Sequence, residues 1–386
     1  MVNQWSEELT LLSEIAITQP QSAYACFVGG YQHRFSYIIR TIPNMKDYLQ
    51  PIEDIIRHQF IPAITDGKVV NDLERNLLSL PPNMGGLGLK NIRELAPIEH
   101  ENSKNFTKNL QNEILNLEPP QDAERKSIST IKSEKTQRNR EKQNRLKAEM
   151  NYEQKRLHEA YCCVGASNWL TNLPIKDQGT ISTHYTLRIR YNWNLPPLPS
   201  ECICGDEFNI SHALSCKKGG FVTLRHNELR DITAKLLDEV CVDVKREPRL
   251  IALNGEQMRY KTANRSDEAR LDISATGFWT PGQRVFFDVR VFDLNAQRYE
   301  NLELNKCFLY NEAEKKRHYN DRVNDVENGT FTPLVITTNG GMGRECNLFY
   351  KRLAEMLSEK RGVPLHECIS FIRSKISFSL VRSALR

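Results

Sequence analysis

Fifteen residues carry four metal-type side chains: the run CICGDEFNISHALSC places Cys202, Cys204, His212 and Cys216 at the spacing Cys-x-Cys-x7-His-x3-Cys. Four soft ligands so close together can surround one tetrahedral zinc ion, and Gly205 permits the tight turn that brings the first two thiolates side by side. A filled set leaves no open position for a catalytic water, so a zinc held there is structural. The alternative is a group of buried or incidental side chains. Ten cysteines without an apolar leader ahead of them point to a reducing compartment, where thiols serve as ligands or small core residues rather than disulfides. Cys162 and Cys163 are adjacent, which is awkward for a single metal, and they read as core.

The chain has 386 residues, room for two or three units at roughly 150 residues each. Apolar residues at 39%, charged residues at 26% and a mean hydropathy of −0.54 exclude disorder throughout. No apolar run approaches membrane-spanning length and the start, MVNQWSEELT, is polar, so neither export nor a membrane span is expected. Residues 1–118 read as short helices broken by Pro20, Gly29-Gly30, Pro43, Pro51, Pro62, Pro81-Pro82 and Gly85-Gly86. In IEDIIRHQF, Ile52, Ile55, Ile56 and Phe60 share one helical face. This is an all-α unit.

Residues 119–158 form a charged linker, helical or disordered. Between 124 and 158 stand eleven Lys/Arg, Arg125 and Lys126 among them, against five Glu; of the chain's net +5, this stretch supplies +6 and everything else −1. The charge favours phosphate binding, whereas pairs such as Glu141 with Arg145 at i,i+4 would make it a merely solvated helix. Residues 159–222 hold aromatic-rich turns (Trp169, Trp193, Pro196-Pro197, Pro199) and the Cys/His module. Arg225, Lys217-Lys218 and the Gly219-Gly220 turn adjoin that module, where cations and backbone amides can grip a phosphate.

From residue 223 to 386 the periodicities give an α/β unit: a helix over 225–240 with Leu229, Ile232, Leu236, Leu237 and Val240 on one face, strands in CVDVKREPRL, ARLDISATGFW and RVFFDVRVFDL, a helix in EAEKKRHYNDRVNDV, a strand in TFTPLVITT, then two amphipathic helices. The fold class is therefore α+β and multidomain. Asp272 and Asp288 stand on consecutive strands across a turn marked by Pro281-Gly282, a hairpin that sets the carboxylates side by side. Paired carboxylates suit a hard cation such as Mg2+ beside a phosphodiester. Arg290 shares the strand face of Asp288, Lys315 and Lys316 lie on the following helix, Glu228 offers a third acid and His226 a further polar group. Taken singly, aspartates at strand ends and a KKR run are also what a solvated surface looks like.

This order, a Cys-Cys-His-Cys cluster, an Asp on one strand, an Asp on the next, and a Lys-rich helix ending in Tyr (Lys315, Lys316, Arg317, His318, Tyr319), resembles the restriction-like endonuclease end of site-specific non-LTR retrotransposon proteins, nucleases of the PD-(D/E)xK superfamily. The resemblance implies a zinc knuckle at Cys202, Cys204, His212 and Cys216, a divalent cation (Mg2+ or Mn2+) on Asp272 and Asp288, and a displaced catalytic lysine at Lys315 or Lys316. Leu271 stands where the family pattern has proline, and Arg290 takes the usual lysine position. ERNLLSLPPNMGGLGLKNI (74–92) is similar to the stretch that follows the polymerase palm in retroelement reverse transcriptases, so residues 1–118 are expected to be thumb-like; no Tyr-x-Asp-Asp is present, and no polymerisation is expected. The resemblance implies DNA as target, with the element RNA as a further partner, no membrane, and the nucleus as location. Two functions follow: a Mg-dependent DNA endonuclease, or a nucleic-acid-binding relic that cuts nothing. A third reading gives the knuckle protein contacts alone.

Overall fold

The computed structural model describes residues 1–107, 114–115, 127–172, 181–195 and 199–385. Arg125, Lys126, the first part of the linker and Pro196-Pro197 lie outside the described residues. The fold is mixed α+β, and no helix among the described residues is long and apolar enough to cross a membrane. Chain contacts gather into two compact units, Met1–Lys155 with Leu173–Tyr191, and Arg156–Asn172 with Asn192–Arg386.

The first unit is helical among its described residues: α1 (Val2–Thr18), α2 (Pro20–Gly29), α3 (Phe35–Thr41), α4 (Gln50–Ile55), α5 (Ile61–Ile64), α6 (Asp72–Ser79), α7 (Ile92–Thr107) and α8 (Ile128–Glu149), then α9 (Tyr152–Cys162), in which the boundary falls, and α10 (Thr183–Arg190). Ile52, Ile56, Phe60 and Ile64 recur every fourth residue and are all fully buried. A 3.6-residue helix would rotate that row off the core by about 40° per step. The turn Ile56–Phe60 is instead π-helical, wider than an α-turn, and keeps the row inward. Asn71 and Glu74 close a capping box at the start of α6. Beneath them, buried Arg75 grips Glu53 with both arms, at 2.6 and 2.8 Å, and donates to the Leu89 carbonyl at 2.8 Å. The Gly-Gly-Leu-Gly stretch has a steric cause: Gly85 and Gly88 have positive φ, and a Cβ on Gly86 would lie 2.0 Å from the Leu80 carbonyl oxygen. Among the described residues the charged linker forms α8, capped by Ser127 and seated by Leu146 and Met150 against Leu80 with Leu73, Leu77 and Met84 alongside.

The second unit places α11 (Ile210–Ser215) and α12 (Phe221–Asp238) before β1 (Val242–Arg246), β2 (Ile273–Thr276), β3 (Arg284–Phe292), α13 (Leu304–Asp325), β4 (Thr330–Thr337), α14 (Arg344–Arg361) and α15 (Leu365–Ala384). The sheet order is β1-β2-β3-β4; the first two pairings are antiparallel and β3-β4, joined through α13, is parallel. Strand alternation splits the faces. Val285, Phe287 and Val289 of β3, with Leu334 and Ile336 of β4, pack against α12, α14 and α15. The opposite parity, Phe286 and Phe292 with Phe331 and Val335, faces α13 through Cys307, Phe308 and Val323. Asp288 and Arg290 belong to this α13 parity. Pro333, which has no N–H to give, sits on the edge strand β4.

Candidate metal knuckle and acid pair

The ligand atoms of Cys202, Cys204, His212 and Cys216 lie within 4.8 Å of one another, a set that can hold a metal such as zinc; it is the one such group among the described residues. Local backbone builds it. Gly205 takes φ +93°, the Cys202 and Gly205 amides donate to the Asp206 and Cys202 carbonyls at 2.9 and 2.8 Å, and the Asn209 side chain caps α11 by accepting from the His212 amide at 2.8 Å. Zn–S bonds of about 2.3 Å in a tetrahedron require S···S edges of about 3.8 Å. The Cys202 and Cys216 sulfurs are 3.8 Å apart, and Cys204 Sγ is 3.1 Å from His212 Nε2. Hydrogen bonds led by the Cys204 backbone N–H pull the Cys202 thiol down to about 7, whereas Cys204, though lowered by the Asp206 backbone N–H, is pushed up to about 11 by burial and by its contacts with Cys202, Asp206 and Cys216. Cys162 and Cys163 take no part in this group.

Two part-buried contacts tie the knuckle to the sheet and to α12. Ser211 Oγ donates to Asp293 Oδ2 at 2.5 Å, one residue beyond β3, and Arg225 Nη2 donates to the Leu214 carbonyl at 2.6 Å. This corrects the expected phosphate grip. Arg225 is only 3% exposed and is committed to the protein's own backbone, so Lys217 and Lys218 remain the exposed cations beside the Gly219-Gly220 turn. Burial raises the Asp293 carboxyl above its ordinary range in spite of hydrogen bonds from Ser211, the Asn295 amide and Thr338.

Register places the acids. Ile273 pairs with Phe287, so the next step of the antiparallel ladder sets Asp272 against Asp288. Asp272 Oδ2 accepts from the Val289 amide at 2.6 Å and its Oδ1 lies 3.0 Å from His226 Nε2. Asp288 is 5% exposed, and Lys315 Nζ meets its Oδ2 at 2.6 Å as an ion pair. Burial raises the Asp288 carboxyl even against the Lys315 charge. For Lys315, burial lowers the ammonium, Asp288 opposes it, and the net shift is upward. The Asp272 hydrogen bond raises His226.

The two lysines part company: Lys315 goes to Asp288, Lys316 to Glu345 at 2.6 Å on α14. Arg290 is half-buried, its charge acts on Lys315, and its Nε has no hydrogen-bond partner. Glu228 is half-buried on α12 two residues past His226, and residues i and i+2 of a helix do not share a face. The group beside Asp272 is thus His226, three residues before buried Leu229. Extending the Leu229, Ile232, Leu236 face back by three would have singled it out. Leu271, just before the first acid, is a core residue packed with Leu250, Phe286 and Val323. Asp272, Asp288 and His226 do not draw three ligand atoms within 4.8 Å as the knuckle does.

No family model matches the chain, and no curated protein matches its sequence.

Proposed function

We propose that the second unit is a retroelement-type, metal-dependent DNA endonuclease that hydrolyses a phosphodiester, with Asp272 and Asp288 as metal-binding acids and Lys315 as the accompanying cation. The observation that carries the reading is the juxtaposition of two carboxylates, Asp272 one residue before β2 and Asp288 on β3, with the half-buried Lys315 ammonium on Asp288. The donor set is compatible with Mg2+ or Mn2+. Both groups offer hard oxygens of the kind these cations take. A divalent cation held there would polarise the phosphate and generate hydroxide from bound water.

The chain's own residues supply the rest. The Val289 amide and His226 orient Asp272. Lys315 and Arg290 place positive charge where the pentacovalent phosphate would carry negative charge. Arg290 in place of lysine is a fixed cation rather than a proton donor of tunable acidity. The Cys/His knuckle, loaded with zinc, would be structural, and its clamp through Ser211 and Arg225 would present it beside the sheet. The thumb-like assignment of the first unit, a DNA or RNA partner and a nuclear location belong to the same reading.

A second reading, a nucleic-acid-binding relic, is favoured by the engagement of both Asp272 oxygens, with no third acid joining the pair among the described residues. Nicking of supercoiled plasmid in Mg2+ or Mn2+ separates the two. Metal-dependent nicking by the wild-type chain, lost in Asp288→Ala and Asp272→Asn, is the expected result. Equal nicking by wild type and Asp288→Ala would refute the assignment, and binding without cleavage in either metal would favour the relic.

A further inference from the structure

Helix α8 carries seven Lys/Arg against three Glu. Glu141 accepts from Gln137 at 3.0 Å instead of pairing with Arg145. The side chains of Lys135, Arg138, Arg140 and Arg145 form no ion pair among the described residues. The helix is nevertheless held in place: Leu146 is buried against Leu80, Lys142 pairs with Glu94 at 3.0 Å, and Gln143 donates to the Met84 carbonyl at 3.3 Å. A seated helix with unpaired charge differs physically from a solvated linker, because its cations are fixed relative to the body and to one another.

Lys135, Arg138, Lys142 and Arg145 are spaced three, four and three apart, a single stripe about 15 Å long. At the Lys135 end the body adds two more basic groups: half-buried Lys90, which closes the Gly-Gly-Leu-Gly-Leu-Lys stretch, and exposed His33. Both are held below their ordinary pKa, Lys90 by burial and then by Lys135, His33 by Lys90 first. Glu99, the carboxylate that opposes this at Lys90, is already paired with Arg40 at 3.2 Å. A cluster of like charges with no spare counter-charge is disfavoured until an anion joins it.

We propose that the α8 stripe Lys135, Arg138, Lys142 and Arg145, with Lys90 and His33 at its end, is a binding strip for the phosphodiester backbone of a nucleic acid. One strand of a duplex presents a phosphate about every 3.4 Å along the axis, so a 15 Å stripe spans roughly four. The strip lies in the helical unit and does not depend on the endonuclease reading of the other unit.

The test is fluorescence polarisation of the full chain on a labelled 20-mer, as duplex DNA and as single-stranded RNA of the same sequence, titrated with salt. Lys135→Gln/Arg138→Gln/Arg145→Gln should reduce the slope of log affinity against log salt by about 2.7 on duplex or about 2.1 on single strand, a loss of roughly a hundredfold or more at 0.1 M salt. The substrate with the larger loss is the one the strip serves. Lys132→Gln/Arg140→Gln, cations off the stripe, should leave the slope within about 0.5 of wild type. An unchanged slope in the triple variant, or an equal loss per charge in the off-stripe variant, would overturn the strip.

Discussion

Ser211→Ala tests whether the knuckle is clamped to the end of β3 through a buried carboxylate. Asp293 is 5% exposed and takes its shortest hydrogen bond, 2.5 Å, from the Ser211 hydroxyl; Thr338 and the Asn295 amide are more distant at 3.3 and 3.4 Å. Its carboxyl is raised by burial, so the sign of the pH effect is set. Below the unfolded value of about 3.9 both states are protonated. As pH rises from there through the folded value, only the unfolded chain ionises at first, and stability falls. Deleting the hydroxyl removes a donor that favours the ionised form, pushes the folded value higher and deepens that fall. A hydrogen bond between neutral partners contributes about 1 kcal/mol and one to a charged group about 1.5–3 kcal/mol. The variant should therefore lose about 1 kcal/mol at pH 4 and about 2 kcal/mol or more at pH 8. The measurement is urea unfolding in a Trp5→Phe background, where the remaining tryptophans, Trp169, Trp193 and Trp279, all report on the second unit. In Ser211→Ala/Asp293→Asn the extra loss at pH 8 should vanish. Equal destabilisation at both pH values, or a loss under about 0.5 kcal/mol at pH 8, would show that Asp293 does not hold the knuckle through this bond.

Three further outcomes are expected. Cobalt added to the reduced chain should give the intense visible bands of a tetrahedral thiolate site, and Cys204→Ser or Cys216→Ser should weaken metal binding by more than the roughly 10- to 100-fold typical of lost supporting contacts, read by chelator competition. Gly86→Ala should destabilise the helical unit by about 3 kcal/mol or more in chemical denaturation, because its Cβ meets backbone of Leu80 and Leu77 that cannot rotate away. Glu53→Gln should cost about 3–5 kcal/mol in the same assay, since it leaves the Arg75 guanidinium buried without its counter-charge; a cost near zero would mean that water reaches Arg75.

Much of the second unit was legible from periodicity. A period near 3.6 marked α12 and a period of 2 marked the strands, and together they delivered the order from α12 to α15. The acid pair was legible too, because the alternation of β2 and β3 puts Asp272 and Asp288 on one face once a short loop joins them. The Cys/His group needed only chain proximity, since its four ligands lie within one knuckle. The Gly-Gly-Leu-Gly stretch was visible as a motif, but its reason, the close pass of Gly86 against Leu80, was not.

Tertiary structure decided what local pattern leaves open. Lys315 and Lys316 are adjacent and chemically alike, yet only one points at the sheet, because successive helical residues diverge by about 100°. The same geometry brings His226, and not Glu228, to Asp272, and it commits Arg225 to the Leu214 carbonyl inside the protein. Glu141 and Arg145 have the spacing to pair and do not, which leaves α8 with its charge exposed. Sequence by itself determined which residues share a face and which ligands share a loop, for both follow from the repeat of the backbone. Which partner each face meets depends on packing between segments far apart in the chain, and no local repeat encodes that.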